Sequence, residues 1–309
     1  SRMLPFFKKQ PPGLVGMEAC ASAHHWARQL MALGHAVKLM PPHYVKPYVK
    51  RGKNDAADAG AICEAVTRPT MRFVSVKGTE QQSVLMQHRS HELLVRQRTM
   101  LINAMRAHMA EFGIIAPVGV PQVKKLLRII ADRDDTRLPD VARTCLESLA
   151  RQFLSLNEEI YAAENQIHAW HRSNEASLRL ESIPGIGPIT ASALAASITD
   201  PEVFKNGREL AAWIGLVPRQ NSTGGKQRLG KISKQGDQYL RWLLVAGARS
   251  VIRQAKRRGA SNPPWLANII DRKPTMVAAV ALANKNARIV WALMKQGGSY
   301  QKPVPVPAV

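Results

Sequence analysis

The chain is expected to fold as an α/β unit followed by two largely helical modules, and three observations predict it. An apolar run, an amphipathic segment and a second apolar run open the sequence; a seam of apolar residues spaced by three and four runs from Leu146 to Trp170; and the last third is basic, helix-rich and punctuated by Pro-Gly turns. With 309 residues, of which 45% are apolar, the chain is long enough for two or three cores. The boundaries read as an α/β domain over 1–78, a helical coiled-coil region over 79–175, a mostly helical carboxy-terminal domain over 176–298, and a Pro-Val tail over 299–309 expected to be disordered.

Residues 1–11 are short, basic and proline-flanked, and read as the tail of something begun earlier. From Gly13 to Glu18 an apolar run ends in a carboxylate, as expected of a buried strand. A helix follows from about Ser22, with Trp26, Leu30 and Leu33 on one side and Gly34 as its stop, and Ala36–Met40 reads as a second strand closed by Pro41-Pro42. Such a strand–helix–strand unit makes its strands parallel. In open α/β sheets chemistry gathers at the carboxyl ends of strands, where Glu18 stands.

A basic loop, His43 to Arg51, leads to Asn54, a good N-cap, and then to Asp55 and Asp58. Three residues apart, these carboxylates share one helical face. They complement the helix dipole, and with Glu18 they could also converge as hard oxygen ligands for divalent metal. Two such ions about 3.5–4 Å apart would activate an attacking oxygen and stabilise a leaving one in phosphoryl transfer. Glu64 is out of phase with the pair and is expected to face solvent.

Further on, a helix from about Thr79 to Phe112 puts Val95, Ile102, Met105, Met109 and Phe112 on one stripe and stops at Gly113. The seam of Leu146, Leu149, Phe153, Leu156, Ile160, Ala163, Ile167 and Trp170 is heptad-like, and could pair with that earlier helix or with a second subunit. Ile183 to Ala191 resembles the hairpin of a helix-hairpin-helix motif, in which Gly185 and Gly187 would let backbone N–H groups approach a phosphate. Leu210–Ile214 reads as core. A helix over Asp237–Arg258 has Leu240, Leu243, Leu244 and Ile252 inward and ends in Arg253, Lys256, Arg257 and Arg258; a final helix carries Asn284, Lys285, Asn286 and Arg288, which face either nucleic acid or solvent.

Between the core segment and the Asp237 helix, a loop from Arg219 to Lys234 combines the hydroxyl pair Ser222-Thr223, the glycines Gly224 and Gly225, and the cations Arg219, Lys226, Arg228, Lys231 and Lys234. Chemistry alone favours a phosphate-gripping loop; a serine among such cations could also serve as a nucleophile if something removes its proton.

The charge points the same way. Forty-four Lys and Arg against 22 Asp and Glu give +22, a balance matched to a polyanion, with Lys50, Arg51 and Lys53 adding to the basic surface near the acidic pair. Nucleic acid is the expected partner. No run of about 18 apolar residues and no signal-like start occurs, so no membrane partner is expected and a cytoplasmic location is. Cys20, Cys63 and Cys145 are odd in number and far apart, and the pairs His88/His91 and His168/His171 lack a third ligand, so neither a disulfide framework nor zinc is indicated.

Gly16-Met17-Glu18-Ala19-Cys20, the segment Tyr48 to Lys50 through Asn54 to Ala59, and the carboxy-terminal features together resemble the insertion-sequence-110 family of transposases, in its 1111 subgroup, over nearly the whole chain. The resemblance implies a RuvC-like, RNase H-type catalytic domain over 1–78, into which the helical middle could be an insertion, with four acidic ligands for Mg²⁺, three of them Glu18, Asp55 and Asp58. The fourth, an aspartate ending a first strand, would lie upstream of Ser1, so the chain is expected to be a shortened form. The resemblance further implies that a serine of the carboxy-terminal transposase domain forms a phosphoserine link to DNA. Ser222 matches best, with Thr223 and Ser233 as competitors. It also implies a structured guide RNA encoded by the element; cutting and joining two DNA ends makes a homo-oligomer expected. A RuvC-type metal-dependent nuclease and a non-catalytic nucleic-acid-binding remnant are the alternatives.

Overall fold

A computed structural model describes residues 2–50, 54–258 and 263–301. The basic start forms a short helix, α1 (Met3–Phe7). It is fastened by His35, whose Nε2 lies 3.1 Å from the Phe7 carbonyl oxygen while its Nδ1 accepts the Gly13 N–H at 3.3 Å.

Then β1 (Leu14–Glu18), α2 (Ala23–Ala32) and β2 (Ala36–Met40) form the expected unit, with β1 and β2 parallel and Glu18 beside Met40. The buried face of α2 is Ala23, Ala27 and Leu30, one step round from the expected stripe, with Trp26 and Leu33 half-buried at its margin. Small residues there let the helix lie close on the sheet beside Leu39 and Met17. Among the described residues, β2 gains one antiparallel bridge from Leu39 to Val74, and β1 pairs only with β2. Among the described residues the other edge of β1 carries no paired strand.

After α3 (Pro42–Val45), α4 (Asp55–Val66) covers the opposite face of the sheet. Gly16 makes this possible: a Cβ there would come within 3.0 Å of Ile62 Cγ2 and of Val66 Cβ. Successive strand residues alternate faces, so Glu18 shares the Gly16 side.

The middle is two long helices, α5 (Thr79–Ala110) and α7 (Asp140–Ser173), with α6 (Val123–Ala131) between them. The α7 seam pairs with α5 within the one chain: Leu146, Phe153, Ile160 and Ile167 are buried at every seventh position, and Leu149, Leu156, Ala163 and Trp170 half-buried. The end of α6 is held by Arg143, 2% exposed, whose guanidinium donates to the Ile129 and Ile130 carbonyls at 3.0 and 2.9 Å and to the Asp135 carbonyl. Without those acceptors the buried charge would be costly.

The carboxy-terminal module has α8 (Glu175–Glu181), α9 (Pro188–Ser197), α10 (Gly207–Ile214), β3 (Pro218–Gln220), β4 (Leu229–Ile232), α11 (Gln238–Arg258), α12 (Pro264–Arg272) and α13 (Thr275–Gln296). Its core is a single cluster in which Leu240, Leu243, Leu244 and Ile252 are buried as expected, together with Leu210, Ala211 and Ile214. The stretch read as a loop is a hairpin. β3 and β4 are antiparallel, and Thr223 and Lys226 bridge a turn whose central glycines have φ of 54° and 76°. Both central residues at positive φ is the turn that matches strand twist, and only glycine adopts it readily.

The long helices also dock onto this module. His88 of α5, 1% exposed, places Nδ1 3.1 Å from the Tyr239 hydroxyl of α11 and Nε2 3.1 Å from Ser192 Oγ of α9. Burial foremost, then His91, pushes the His88 pKa down to about 4. Because that lies below the unfolded value near 6.5, the unfolded chain binds the extra proton between the two. Stability from this site is thus complete above about pH 6.5 and lost as pH falls toward 4, by up to about 3 kcal/mol. His24, also lowered to about 4, chiefly by burial and then by Lys77 and Arg28, acts in the same window but is more exposed and contributes less. Urea unfolding at pH 7 and pH 5 should show the wild type losing more stability than His88→Gln; equal losses would assign the acid sensitivity elsewhere.

Candidate active site and nucleic-acid interface

Asn54 caps α4 by accepting the Ala57 N–H at 2.8 Å, which fixes Asp55 and Asp58 in the first turns. By helical spacing Asp55, Asp58, Ile62 and Val66 fall on one stripe, so both aspartates continue the very face that packs on Gly16. Glu18 is half-buried and both aspartates are exposed. No described residue forms an ion pair with any of the three. Hard, uncommitted carboxylate oxygens suit a divalent cation such as Mg²⁺ in kind. In placement the expected convergence is not complete: among the described residues no three His, Cys, Asp or Glu side chains are close enough together to hold a metal. Glu64 instead pairs with Arg68.

Of the nearby cations, Lys50 is exposed. Arg51 and Lys53 lie outside the described residues, as does the Pro303–Pro307 tail.

The histidine pairs are engaged elsewhere. His91 Nε2 is 3.1 Å from Glu164, and His171 lies between Ser177 Oγ at 2.7 Å and Glu181 at 3.0 Å. All three cysteines are free and exposed.

The turn joining α8 and α9 divides the two glycines expected at a phosphate. Gly185, at φ +90°, faces inward, where a Cβ would meet Val251 Cγ2 at 2.9 Å and the Gly247 carbonyl oxygen at 3.0 Å of α11. The close packing of backbone on backbone is by itself a reason for glycine at this position. Gly187 is exposed with open space beside it and is the N-cap of α9, without a side-chain cap of its own. Of the polar residues on the last helix, Asn286 is 2% exposed and donates to the Pro184 carbonyl at 2.9 Å, and Asn284 donates to the Leu216 carbonyl at 3.1 Å. Both hold the fold.

Ser222 lies on the β3–β4 hairpin, and its whole neighbourhood from Asn221 to Gly230 is exposed. Its Oγ accepts the Arg228 N–H at 3.1 Å, while Asn221 N–H donates to the Arg228 carbonyl at 2.8 Å, so the hydroxyl is held in place with its own proton unspent. The same segment carries Arg219, Lys226, Arg228, Lys231 and Lys234, all exposed, and Arg219 donates to the Ser233 carbonyl at 3.2 Å. Among the described residues, no carboxylate or imidazole hydrogen-bonds the Ser222 hydroxyl.

The hairpin is seated on the helical core by interlocked glycines. A Cβ on Gly215 would lie 2.1 Å from the Gln235 carbonyl oxygen, and one on Gly236 would lie 1.8 Å from that of Trp213. Arg241 ties the same junction by donating to the Ile214 and Gln235 carbonyls at 2.8 and 2.9 Å.

Beside it opens a cleft of about 1910 Å³ among β4, α10, α11, α12 and α13. Trp242 and Trp265 reach it, and neither was singled out in the sequence. Trp242 falls off the buried Leu240, Leu244, Ala248 stripe of α11, and a tryptophan out of phase with its own core was the available signal.

Comparison with known proteins identifies the family. Residues 3–114 match the DEDD transposase family of IS110 elements, and residues 177–262 match the transposase IS116/IS110/IS902 family. The chain is 50% identical over 297 residues to a probable family 20 transposase of Pseudomonas aeruginosa, covering 96% of this chain and 88% of that protein. It is 40% identical to the transposase for insertion sequence element IS1328 of Yersinia enterocolitica, covering 97% and 89%. With the transposase for insertion sequence element IS1111A of Coxiella burnetii the identity is 41%, covering 94% and 79%. Identity at this level over nearly the full length, with both family matches in chain order, places this chain in the IS110/IS116/IS902 family of insertion-sequence transposases.

Proposed function

We propose that this transposase cuts and joins DNA strands through Ser222, and that the observation carrying the reading is the exposed, hydrogen-bonded Ser222 hydroxyl on a hairpin segment that carries five exposed cations. In the step proposed, a bond forms between Ser222 Oγ and a backbone phosphorus as one ester bond from that phosphorus to the neighbouring nucleoside breaks. The serine proton leaves, and the released nucleoside oxygen takes one up. Attack on the phosphoserine by a hydroxyl of another strand reverses the chemistry and joins the two strands, so bond energy is conserved without a co-substrate.

The Arg228 N–H fixes the direction of Oγ, and Arg219, Lys226, Arg228, Lys231 and Lys234 neutralise the phosphate, an effect that grows as water is excluded. No base touches Ser222 among the described residues, and the proposal has its proton taken by a group brought up when the DNA complex assembles.

Glu18, Asp55 and Asp58 would hold Mg²⁺, which when bound supplies charge neutralisation at the reacting phosphate. A fourth carboxylate delivered on a strand at the open edge of β1 would stand next to Glu18 and complete a RuvC-like site. The +22 charge suits DNA at element ends and target, together with a structured guide RNA, and cutting two ends at once suits a homo-oligomer. A helix-hairpin-helix role for α8 and α9 rests on Gly187 and the uncapped α9 terminus. Among the described residues, no helix is long and apolar enough to cross a membrane.

The test is to incubate the protein with labelled element-end DNA, with Mg²⁺ or with EDTA, and resolve the products on a denaturing gel. A protein–DNA adduct that requires the metal is expected. Strand breakage without any adduct would instead establish a metal-only nuclease, and binding without breakage a nucleic-acid-binding protein.

A further inference from the structure

The cleft beside the Ser222 hairpin is apolar, basic and aromatic at once. Six of its lining residues are cationic, Arg208, Lys231, Lys234, Arg241, Lys285 and Arg288, and none is acidic. Between them lie two indoles open to solvent: Trp242, 59% exposed, and Trp265, 39% exposed. Trp242 stacks on Tyr239 at 6.3 Å and 19°, which holds the ring while leaving most of it uncovered. Lys285 Nζ sits 4.3 Å from the centre of the Trp265 ring and so places a cation beside an aromatic face. Leu229, Met276 and Val277 are half or more exposed and extend the apolar surface.

Duplex DNA offers phosphates to such a surface but keeps its base faces stacked away, so the exposed indoles would have nothing to cover them. A second copy of this chain would bring another +22 charge against an uncompensated cationic rim. Unpaired nucleotides supply both halves: phosphates for the cations, and flat apolar base faces for the rings.

We infer that this cleft binds unpaired nucleotides of a strand passing the Ser222 hairpin, with bases stacked on Trp242 and Trp265 and phosphates on Lys231, Lys285 and Arg288. The choice of nucleic acid as occupant rests on the function proposed above; the stacking does not depend on Ser222 as nucleophile. Such a site would hold bases unstacked at the point of strand exchange, close to the residues that handle the phosphate.

The test is fluorescence anisotropy with the full chain and labelled single strands of about ten nucleotides: oligothymidylate, oligouridylate and an abasic strand of equal length and charge. The wild type should prefer base-bearing over abasic strands by about tenfold or more, a preference lost in Trp242→Ala and in Trp265→Ala while affinity for the abasic strand stays. Trp242→Phe, which keeps a ring, should retain most of it and show that the Ala variant has not simply unfolded. A preference for the deoxy or the ribo strand assigns the occupant to DNA or to RNA. Equal affinity of the wild type for base-bearing and abasic strands would overturn the inference. So would tryptophan variants that change only self-association in sedimentation. If the adduct forms while base preference is absent, this inference alone fails; if base preference is present and no adduct forms, the proposed strand chemistry fails instead.

Discussion

Ser222→Ala is expected to abolish the covalent protein–DNA adduct, lowering its rate of formation by at least about 10³-fold. Removing a nucleophile removes the bond that is made, so no geometric adjustment of the rest of the site can compensate. Binding should change little. The Ser222 side chain accepts one backbone hydrogen bond on an exposed hairpin, and water can take over the Arg228 N–H when the oxygen is gone. The five cations proposed to bear the phosphate contact are untouched, so affinity and its steep fall with salt should persist.

Two neighbours carry hydroxyls and make the result specific. Thr223 lies at the base of the glycine turn, its carbonyl accepting the Lys226 N–H at 3.0 Å, and Ser233 Oγ sits 3.5 Å from the Gln235 N–H beyond β4. Thr223→Ala and Ser233→Ala should each leave the adduct within a few-fold of wild type. An undiminished adduct in Ser222→Ala, or its loss in one of the other two, would move the nucleophile to that residue.

What could be read from sequence alone follows the range over which each signal acts. The unit of β1, α2 and β2 is local, since two apolar runs, a glycine stop and a proline pair mark it within 30 residues or so, and the structure has it in the expected place. The burial of the α7 seam was equally legible, while its choice of α5 as partner was not, because a seven-residue repeat says nothing about whose side chains fill it. The hairpin around Ser222 is not legible because its strands are short and exposed, with no apolar alternation to show, and paired glycines in sequence suit a tight turn and a close approach to phosphate alike. Contacts across great sequence distance escaped altogether. His88, Ser192 and Tyr239 meet from three helices, and the cleft draws Trp242 and Trp265 from two. The acidic site shows both limits, for the common face of Asp55 and Asp58 followed from spacing, whereas closure of three carboxylates into one ligand group is a property of tertiary placement.

Gly247→Ala is expected to destabilise the carboxy-terminal module by about 3 kcal/mol, against the helix propensities that favour alanine by about 1 kcal/mol. Gly247 lies within α11, where the turn joining α8 and α9 crosses it. A Cβ there would stand 1.8 Å from the Gly185 carbonyl oxygen and 2.9 Å from its carbon, far inside contact distance and against backbone rather than a yielding side chain. The turn cannot easily withdraw. Ile183 and Ile186 on either side of it are buried in the core, and Asn286 of α13 holds the Pro184 carbonyl at 2.9 Å from the opposite direction. Relief must therefore come from moving α9 or α11, both of which also carry partners of His88, so the docking of α5 should loosen with the core. Gly60→Ala is the matching control: it too lies inside a helix, but nothing stands within 4 Å of its Cβ, and the same substitution should stabilise by about 0.5–1 kcal/mol. Thermal unfolding of the two variants beside the wild type reads both signs in one experiment. A Gly247→Ala protein as stable as wild type would mean that α8, α9 and α11 do not cross at these two glycines, and the geometry that carries the hairpin and its cleft would have to be redrawn.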